Sequence, residues 1–291
     1  MEKCPGEIIV RKQPKHRRRK MEIGISTYLY RDADIFEGLE RLSTIGYRFI
    51  EVEAQCLPDS LSGNKGEVAE IARYAKSLGL EVHSVHLSKC PEDIGGRDAK
   101  LRRKGVKWIK SAIDLCRAFE PKYVGIHRGG LWEDLSDPEH FRDVQRWTIE
   151  SVAEIAEYAK RMGMKLEIET SGGYCDVKAI KEIISPFPRD QVGILVDIGH
   201  CWRARRRDPI WAIREAGERL FCVHVHDNHQ GEDEHLVPGE GTIDWPGVVR
   251  ALKEVGYQGV FMLECFRSRK TQDKDTIALL AKRAAEKLLS A

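Results

Sequence analysis

The stretch VAEIAEYAKRMGMKLEIE, residues 152–169, contains the signals of a helix, a turn and a strand. In its first part the apolar residues recur at i, i+3 and i+4 spacing, which is typical of a helix that lies on a sheet. Gly163 follows, and a glycine just past the end of a helix is a common way to turn into the next element. MKLEIE (164–169) then has the composition of a short strand. The stretch predicts one helix–turn–strand unit.

Units of this kind recur along the whole chain. Strand-like runs are found at 21–27, 47–53, 80–86, 122–127, 164–169, 192–197, 220–226 and 259–264. Helical patterns fall near 32–45, 66–78, 98–118, 139–162, 176–184, 209–217, 245–255 and 272–289. Strict alternation means parallel strands joined by crossover helices, and eight units predict a single (β/α)8 TIM barrel over residues 21–291. A doubly wound open sheet would need a GxGxxG turn after an early strand, and the sequence has none.

The composition is that of a soluble globular protein, with 291 residues, 42% hydrophobic and 32% charged. No apolar run is long enough for a membrane span, and the N-terminus lacks the pattern of a secretory signal. The eight cysteines are scattered and never form CxxC, which argues against a zinc ribbon or a disulfide scaffold. We therefore expect reduced thiols and a cytoplasmic location.

The charge is distributed unevenly along the chain. Residues 1–20 contain eight Lys or Arg and two Glu, whereas the remainder contains 40 basic and 44 acidic residues. A short basic segment of this kind predicts a disordered N-terminal extension outside the fold. The net negative charge of the remainder, the acidic body of the chain, argues against nucleic acid as a partner.

Titratable side chains occupy the ends of most predicted strands. Since the active sites of such barrels lie at the C-terminal ends of the strands, these side chains should meet at one rim. Without a cation among them they would repel and desolvate one another, and carboxylates with imidazoles suit Mn, Mg, Co or Zn. Glu169, Asp197, His224 and Glu264 together predict a divalent metal site. The full set at the strand ends is Glu51, Glu53, His86, His127, Glu169, Asp197 with His200 after it, His224, His226 and Glu264.

The stretch HVHDNHQGEDEHLVPGEG (224–241) is the densest concentration of such side chains, with four histidines and five carboxylates. On the residues alone it is either a polar solvated loop or one wall of the metal site.

Taken with EIET, LVDIGH and GVFMLE, this stretch resembles the xylose isomerase-like TIM-barrel superfamily over about residues 21–290. That superfamily holds sugar isomerases and epimerases together with endonuclease IV, which cleaves DNA at abasic sites. The resemblance implies that Glu169, Asp197, His224 and Glu264 bind the metal, and that His200 contacts substrate. It also matches His86, His127, Asp233 and His235 to the additional zinc ligands of endonuclease IV. We treat His226 as a residue that supports a ligand or packs beside it.

The first functional hypothesis is a metal-dependent isomerase or epimerase of a sugar, sugar phosphate or polyol. The reaction removes a proton next to a carbonyl and passes through an enediolate, with Glu169 and Glu264 as base and acid. In this interpretation the remaining rim residues bind the small carbohydrate substrate. They are His86, His127, His200, Asp233, His235 and Arg203. A dehydratase or aldolase would use similar chemistry, and a homo-oligomer is left open.

The alternatives are an abasic-site endonuclease with a zinc cluster and a metal-binding barrel without catalytic activity. The acidic body, the HRGG sequence after strand four and HCWRARRRDP after strand six argue against the nuclease. The arginine run at 204–207 could bind a substrate phosphate or form a solvated charge run. Trp132 and Trp202 could form an apolar wall beside a sugar or simply pack.

Overall fold

The computed structural model describes residues 21–57, 65–88, 90–130, 133–171, 176–203 and 208–290. The basic extension predicted for residues 1–20, Trp132 and the arginine run at 204–207 lie outside the described residues.

Eight parallel strands close into a barrel in the order of the sequence, and β8 pairs with β1. This confirms the predicted (β/α)8 fold. The strands are β1 (Glu22–Ser26), β2 (Phe49–Glu53), β3 (Glu81–His86), β4 (Tyr123–His127), β5 (Lys165–Glu169), β6 (Val192–Asp197), β7 (Leu220–Val225) and β8 (Val260–Leu263).

The described residues form nine α-helices, one more than the sequence predicts. The additional helix, α6, begins directly after β6, where Asp197 accepts the backbone N–H of His200 and so caps the helix. Among the described residues, no helix is long and apolar enough to span a lipid bilayer. The helices are α1 (Ile35–Ile45), α2 (Lys65–Ser77), α3 (Ala99–Cys116), α4 (Pro138–Arg161), α5 (Val177–Ile184), α6 (Ile198–Arg203), α7 (Pro209–Ala216), α8 (Trp245–Glu254) and α9 (Lys274–Ser290).

The unit α4–β5 shows how the sequence builds the repeat. Asp137 accepts the backbone N–H groups of Glu139 and His140, and Pro138 occupies the first helical turn, so α4 begins there. Gly163 has φ +82°, the left-handed conformation that turns the chain into β5. The apolar face of α4 is buried in the core through Val152, Ile155, Ala156 and Ala159.

The barrel interior is polar where such barrels are usually filled with branched apolar side chains. In β5, Leu166 and Ile168 join the hydrophobic core, whereas Glu169 points to the rim and Glu167 lies beneath it inside the barrel. A Cβ added to Gly125 on β4 would lie 3.1 Å from His86 Cδ2 and 3.4 Å from Glu167 Oε1, so this glycine makes room chiefly for the His86 ring. Burial raises the pKa of Glu167 to about 7. Titratable side chains therefore occupy the barrel interior both at the rim and below it.

His83, at the lower part of β3, should make the stability of the fold depend on pH. Burial, reinforced by Lys122, lowers the pKa of His83 to about 4. Because an unfolded histidine has a pKa of about 6.5, the folded state should lose on the order of 3 kcal/mol as the pH falls from about 6.5 to about 4. Urea denaturation of the wild type and His83→Gln at about pH 7.5 and about pH 4.5 measures this loss. The variant should lose correspondingly less stability on acidification, since all other titrations cancel between the two proteins. Equal losses in both would contradict the assignment.

Candidate metal centre

Glu169, at the end of β5, lies at the centre of the predicted site and is 1% exposed. Its Oε2 lies 2.9 Å from His127 Nε2 and 3.3 Å from His86 Nε2. Its Oε1 lies 3.2 Å from His200 Nδ1 and 3.7 Å from His224 Nδ1. One carboxylate thus gathers imidazoles from β3, β4, α6 and β7.

Of the four side chains predicted as metal ligands, the three carboxylates converge on one nitrogen of the fourth, His224. His224 Nδ1 lies 3.4 Å from Glu264 Oε2. The same nitrogen lies 3.7 Å from both Glu169 Oε1 and Asp197 Oδ2. All four side chains are buried. The structure therefore places three carboxylates and one imidazole in a single small volume.

Two polar atoms of this group test whether a metal would fit. Within the described residues, His224 Nδ1 and Glu264 Oε2 are buried and make no hydrogen bond of good geometry, because their only close approach is the 3.4 Å contact with each other and longer contacts to like groups. Burying an unpartnered polar atom is costly, and native structures rarely tolerate it. A divalent cation among these oxygens and this nitrogen would satisfy both atoms, and the donor set suits Mn, Mg, Co or Zn. The residues fit a metal.

The cluster balances its own charge through opposite pKa shifts. Burial favours the neutral form of Glu169, but attraction to His127 and the other imidazoles holds the pKa of Glu169 well below its usual range. Burial likewise opposes ionisation of Asp197, yet His200 and His226 lower its pKa to about 2. The carboxylates in turn hold the pKa of His200 and His224 well above the usual value, against the effect of burial. Binding of a cation would therefore release protons from the imidazoles.

Asp197 is oriented from two sides. One of its oxygens accepts the backbone N–H of His200 at 2.6 Å, and His226 Nε2 lies 3.0 Å from the same oxygen. A Cβ added to Gly199 would lie 2.0 Å from the His226 ring, so only glycine allows α6 to approach this histidine. His226 thus supports a predicted ligand, as the sequence suggests, and Gly199 is a residue that sequence reasoning missed.

The stretch 224–241 proves to be both a scaffold and a wall of the site. Asp227 is buried and accepts hydrogen bonds from the backbone N–H groups of Gly239 and Ile243 and from Trp245 Nε1. Asn228 Oδ1 accepts the backbone N–H of Glu234 at 2.8 Å and of His235 at 3.1 Å. These two buried residues, which the sequence did not single out, hold the loop that brings Asp233 and His235 to the rim.

A second group of possible ligands adjoins the first. His200, His226, Asp233 and His235 each offer an atom, and these four atoms lie within 4.8 Å of one another. Asp233 Oδ2 also lies 2.9 Å from Arg203 Nη1, so an arginine already supplies positive charge to this carboxylate. Arg203, predicted to bind substrate, is thus engaged with Asp233.

The aromatic residue beside the cluster is Phe266, which the sequence analysis did not identify. Its ring stacks on His235 with centroids 4.2 Å apart, and Tyr28 meets its edge at 5.0 Å. Trp202, for which the sequence left an apolar wall or simple packing open, packs against the hydrophobic core and donates from Nε1 to Thr242 Oγ1. It therefore joins α6 to the loop before α8.

Removal of the Asp227 carboxylate should destabilise the loop before α8. Asp227→Ala leaves four hydrogen-bond donors without this acceptor, the backbone N–H groups of Asn228, Gly239 and Ile243 and Trp245 Nε1, for an expected loss of about 3 to 5 kcal/mol in the free energy of unfolding. Asp244→Ala, at the far end of the same loop, removes the cap of α8 and should cost only about 1 kcal/mol. Urea denaturation measures both, and hydrogen exchange at Gly239 and Ile243 should accelerate only in the first variant. Equal losses in the two variants would show that Asp227 does not hold the loop.

Comparison with known proteins identifies the family of this chain. The family model described as xylose isomerase-like TIM barrel matches residues 39–287. The D-psicose 3-epimerase of Enterocloster bolteae is 24% identical over 245 residues, which cover 80% of this chain and 77% of that protein. The inosose isomerase of Bacillus velezensis is 24% identical over 248 residues, covering 81% and 85%. A crystal structure of the IOLI protein with a bound zinc atom superposes with a TM-score of 0.77 at 21% identity, covering 93% of this chain and 98% of that one, and shares its fold. The chain belongs to the xylose isomerase-like TIM-barrel family.

Proposed function

We propose that this protein is a divalent-metal-dependent isomerase or epimerase that acts on a sugar, sugar phosphate or polyol. The observation that carries the proposal is the convergence of Glu169, Asp197 and Glu264 on His224 Nδ1. Relatives named as an epimerase and an isomerase support the reaction class. The six cysteines in the described residues are free thiols, which supports a cytoplasmic location.

Glu169, Asp197, His224 and Glu264 would hold the metal, which is one of Mn, Mg, Co or Zn. When bound, the ion polarises the substrate carbonyl and stabilises negative charge that develops on its oxygen. His127 and His200 are more exposed than the four ligands, so their ring nitrogens are placed to hold substrate oxygens. Arg203, Asp233 and His235 would bind more distant parts of the substrate, and His86 would contact it from below.

Glu169 and Glu264 would move the proton. The surrounding imidazoles keep Glu169 ionised, which is the form that a base requires. Glu264, which lies next to His224 and His235, would take up a proton from water and give it to the enediolate as the acid, and Glu169 would release the proton that it removed to water. Because the two carboxyl groups approach the same nitrogen from different strands, both can reach a substrate bound there. Removal of a proton by one carboxyl group and delivery of a proton by the other changes either the position of the carbonyl or the configuration at the carbon.

Exchange with deuterated water tests the proposal directly. Metal-loaded wild type incubated with a panel of ketoses and keto-acids, free and phosphorylated, should place deuterium on a carbon next to a carbonyl, as NMR would detect. Glu169→Gln and Glu264→Gln should each lower the exchange by about 10² to 10⁴-fold while retaining some metal. Glu232→Gln, an exposed change in the loop after β7, serves as the control and should leave the rate unchanged. Unchanged exchange in either active-site variant would refute the two-carboxylate mechanism.

The second candidate is an abasic-site endonuclease. The second ligand group around Asp233 favours it, because it could hold a further zinc ion. Against it stands the ion pair between Arg203 and Asp233, since a guanidinium at 2.9 Å competes with a cation for the carboxylate.

Metal stoichiometry separates the two candidates. The isomerase predicts one tightly bound ion per chain, measured by mass spectrometry of the metal after dialysis, because Arg203 occupies Asp233. Asp233→Asn should then leave the ratio unchanged. Three zinc ions per chain, a lower ratio in Asp233→Asn and nicking of abasic duplex DNA would together favour the nuclease. One ion with neither exchange nor nicking would support a barrel that binds metal without catalysis.

A further inference from the structure

Two glutamates of β2, Glu51 and Glu53, take no part in the function proposed above. Both are buried, Glu53 at the end of β2 and Glu51 two residues below it, and each is 1% exposed. A buried carboxylate needs compensation, and each finds it in a different histidine. Glu51 Oε1 lies 2.9 Å from His224 Nε2, whereas Glu53 Oε2 lies 3.0 Å from His86 Nδ1.

Glu51 is itself held in place. Ser84 on β3 donates its hydroxyl to Glu51 Oε2 at 2.8 Å, which leaves Oε1 to face His224. The serine, the glutamate and the histidine are all buried, so water does not compete for these contacts. The carboxylate therefore has a defined position relative to the imidazole.

The protons of His224 can be assigned from this contact. Metal binding requires the neutral imidazole, which has one N–H, and with a cation at Nδ1 that N–H belongs on Nε2, 2.9 Å from the Glu51 carboxylate. The lone pair of Nδ1 then faces the carboxylates of Glu169, Asp197 and Glu264. A lone pair that faces three carboxylates is unfavourable unless a cation lies between them.

We propose that Glu51 is a positioning residue that holds His224 with its proton on Nε2, so that Nδ1 presents its lone pair to a divalent cation. The inference rests on the proposed function, since it presumes the metal site. It assigns to Glu51 the part that an outer carboxylate plays when it orients a histidine ligand and increases its basicity.

Glu53 provides a matched control on the same strand. It has the same side chain and the same burial, but its partner His86 has its other nitrogen, Nε2, 3.3 Å from Glu169 Oε2. His86 therefore lies between two carboxylates, so Glu53 compensates its charge and does not act on His224. Removing either glutamate takes one negative charge from the interior, and only Glu51 should affect the orientation of His224.

Titration calorimetry with Mn²⁺ or Zn²⁺ tests the proposal on the full chain. Glu51→Gln should weaken metal binding by about 10 to 100-fold, because the amide can turn either its oxygen or its NH₂ to Nε2 and imposes no tautomer. Glu51→Asp keeps the charge and should recover part of the affinity. Glu53→Gln should change the affinity by less than about threefold. The visible spectrum of the Co²⁺-loaded protein should shift in Glu51→Gln and stay constant in Glu53→Gln.

Ser84→Ala is the milder second variant should Glu51→Gln fail to fold. It removes only the hydroxyl that holds Glu51 and should weaken binding by roughly fivefold. Wild-type affinity in Glu51→Gln, or in Ser84→Ala if that variant stands in for it, would overturn the role of Glu51 and leave the proposed function intact. Equal losses in Glu51→Gln and Glu53→Gln would also overturn it, since they would reflect lost negative charge alone. A wild-type protein that binds none of these ions would overturn both the role of Glu51 and the proposed function.

Discussion

The structure depends on one electrostatic constraint, which is that several carboxylates are buried at one end of a barrel and must be compensated there. Glu169, Asp197 and Glu264 lie within 4 Å of a single imidazole nitrogen, away from bulk water. Isolated buried charges of one sign would be too costly for a fold of marginal stability. Histidines on neighbouring strands supply part of the compensation, and a divalent cation would supply the rest.

The scaffold around the cluster is built to hold these groups apart at fixed distances. Each comes from a different strand end, so the register of the barrel sets their separation. Asp197 both faces the site and caps α6, and His226 holds it from the other side. Asp227 and Asn228 secure the following loop from within. Folding and site geometry therefore rely on the same side chains, and a change at one affects the other.

The fold alone would not select a function, because TIM barrels support many reactions through the loops at one face. The donor set and its surroundings narrow the range of reactions that this barrel could catalyse. Oxygen and imidazole ligands favour a hard or borderline cation, and two carboxyl groups beside it suit proton transfer. The contact between Arg203 and Asp233 places a positive charge beside the second group of possible ligands. Phe266, stacked on His235, adds an apolar surface at the same rim.

The sequence by itself determined the fold and predicted which side chains meet at the rim. Helical periodicity, glycine turns and apolar strands alternate in VAEIAEYAKRMGMKLEIE and its repeats, and local chemistry decides each of those elements. The strand-end positions of Glu169 and His224 followed because parallel strands end at one rim. Only the tertiary structure decided which nitrogen of His224 meets Glu51, that Arg203 pairs with Asp233, and that Asp227 holds a loop. Such contacts join residues far apart in the chain, and no local pattern records a distance between two strands of a closed barrel. The helix α6 escaped prediction for a different, local reason, because Asp197 has the sequence pattern of a metal ligand and also caps this helix.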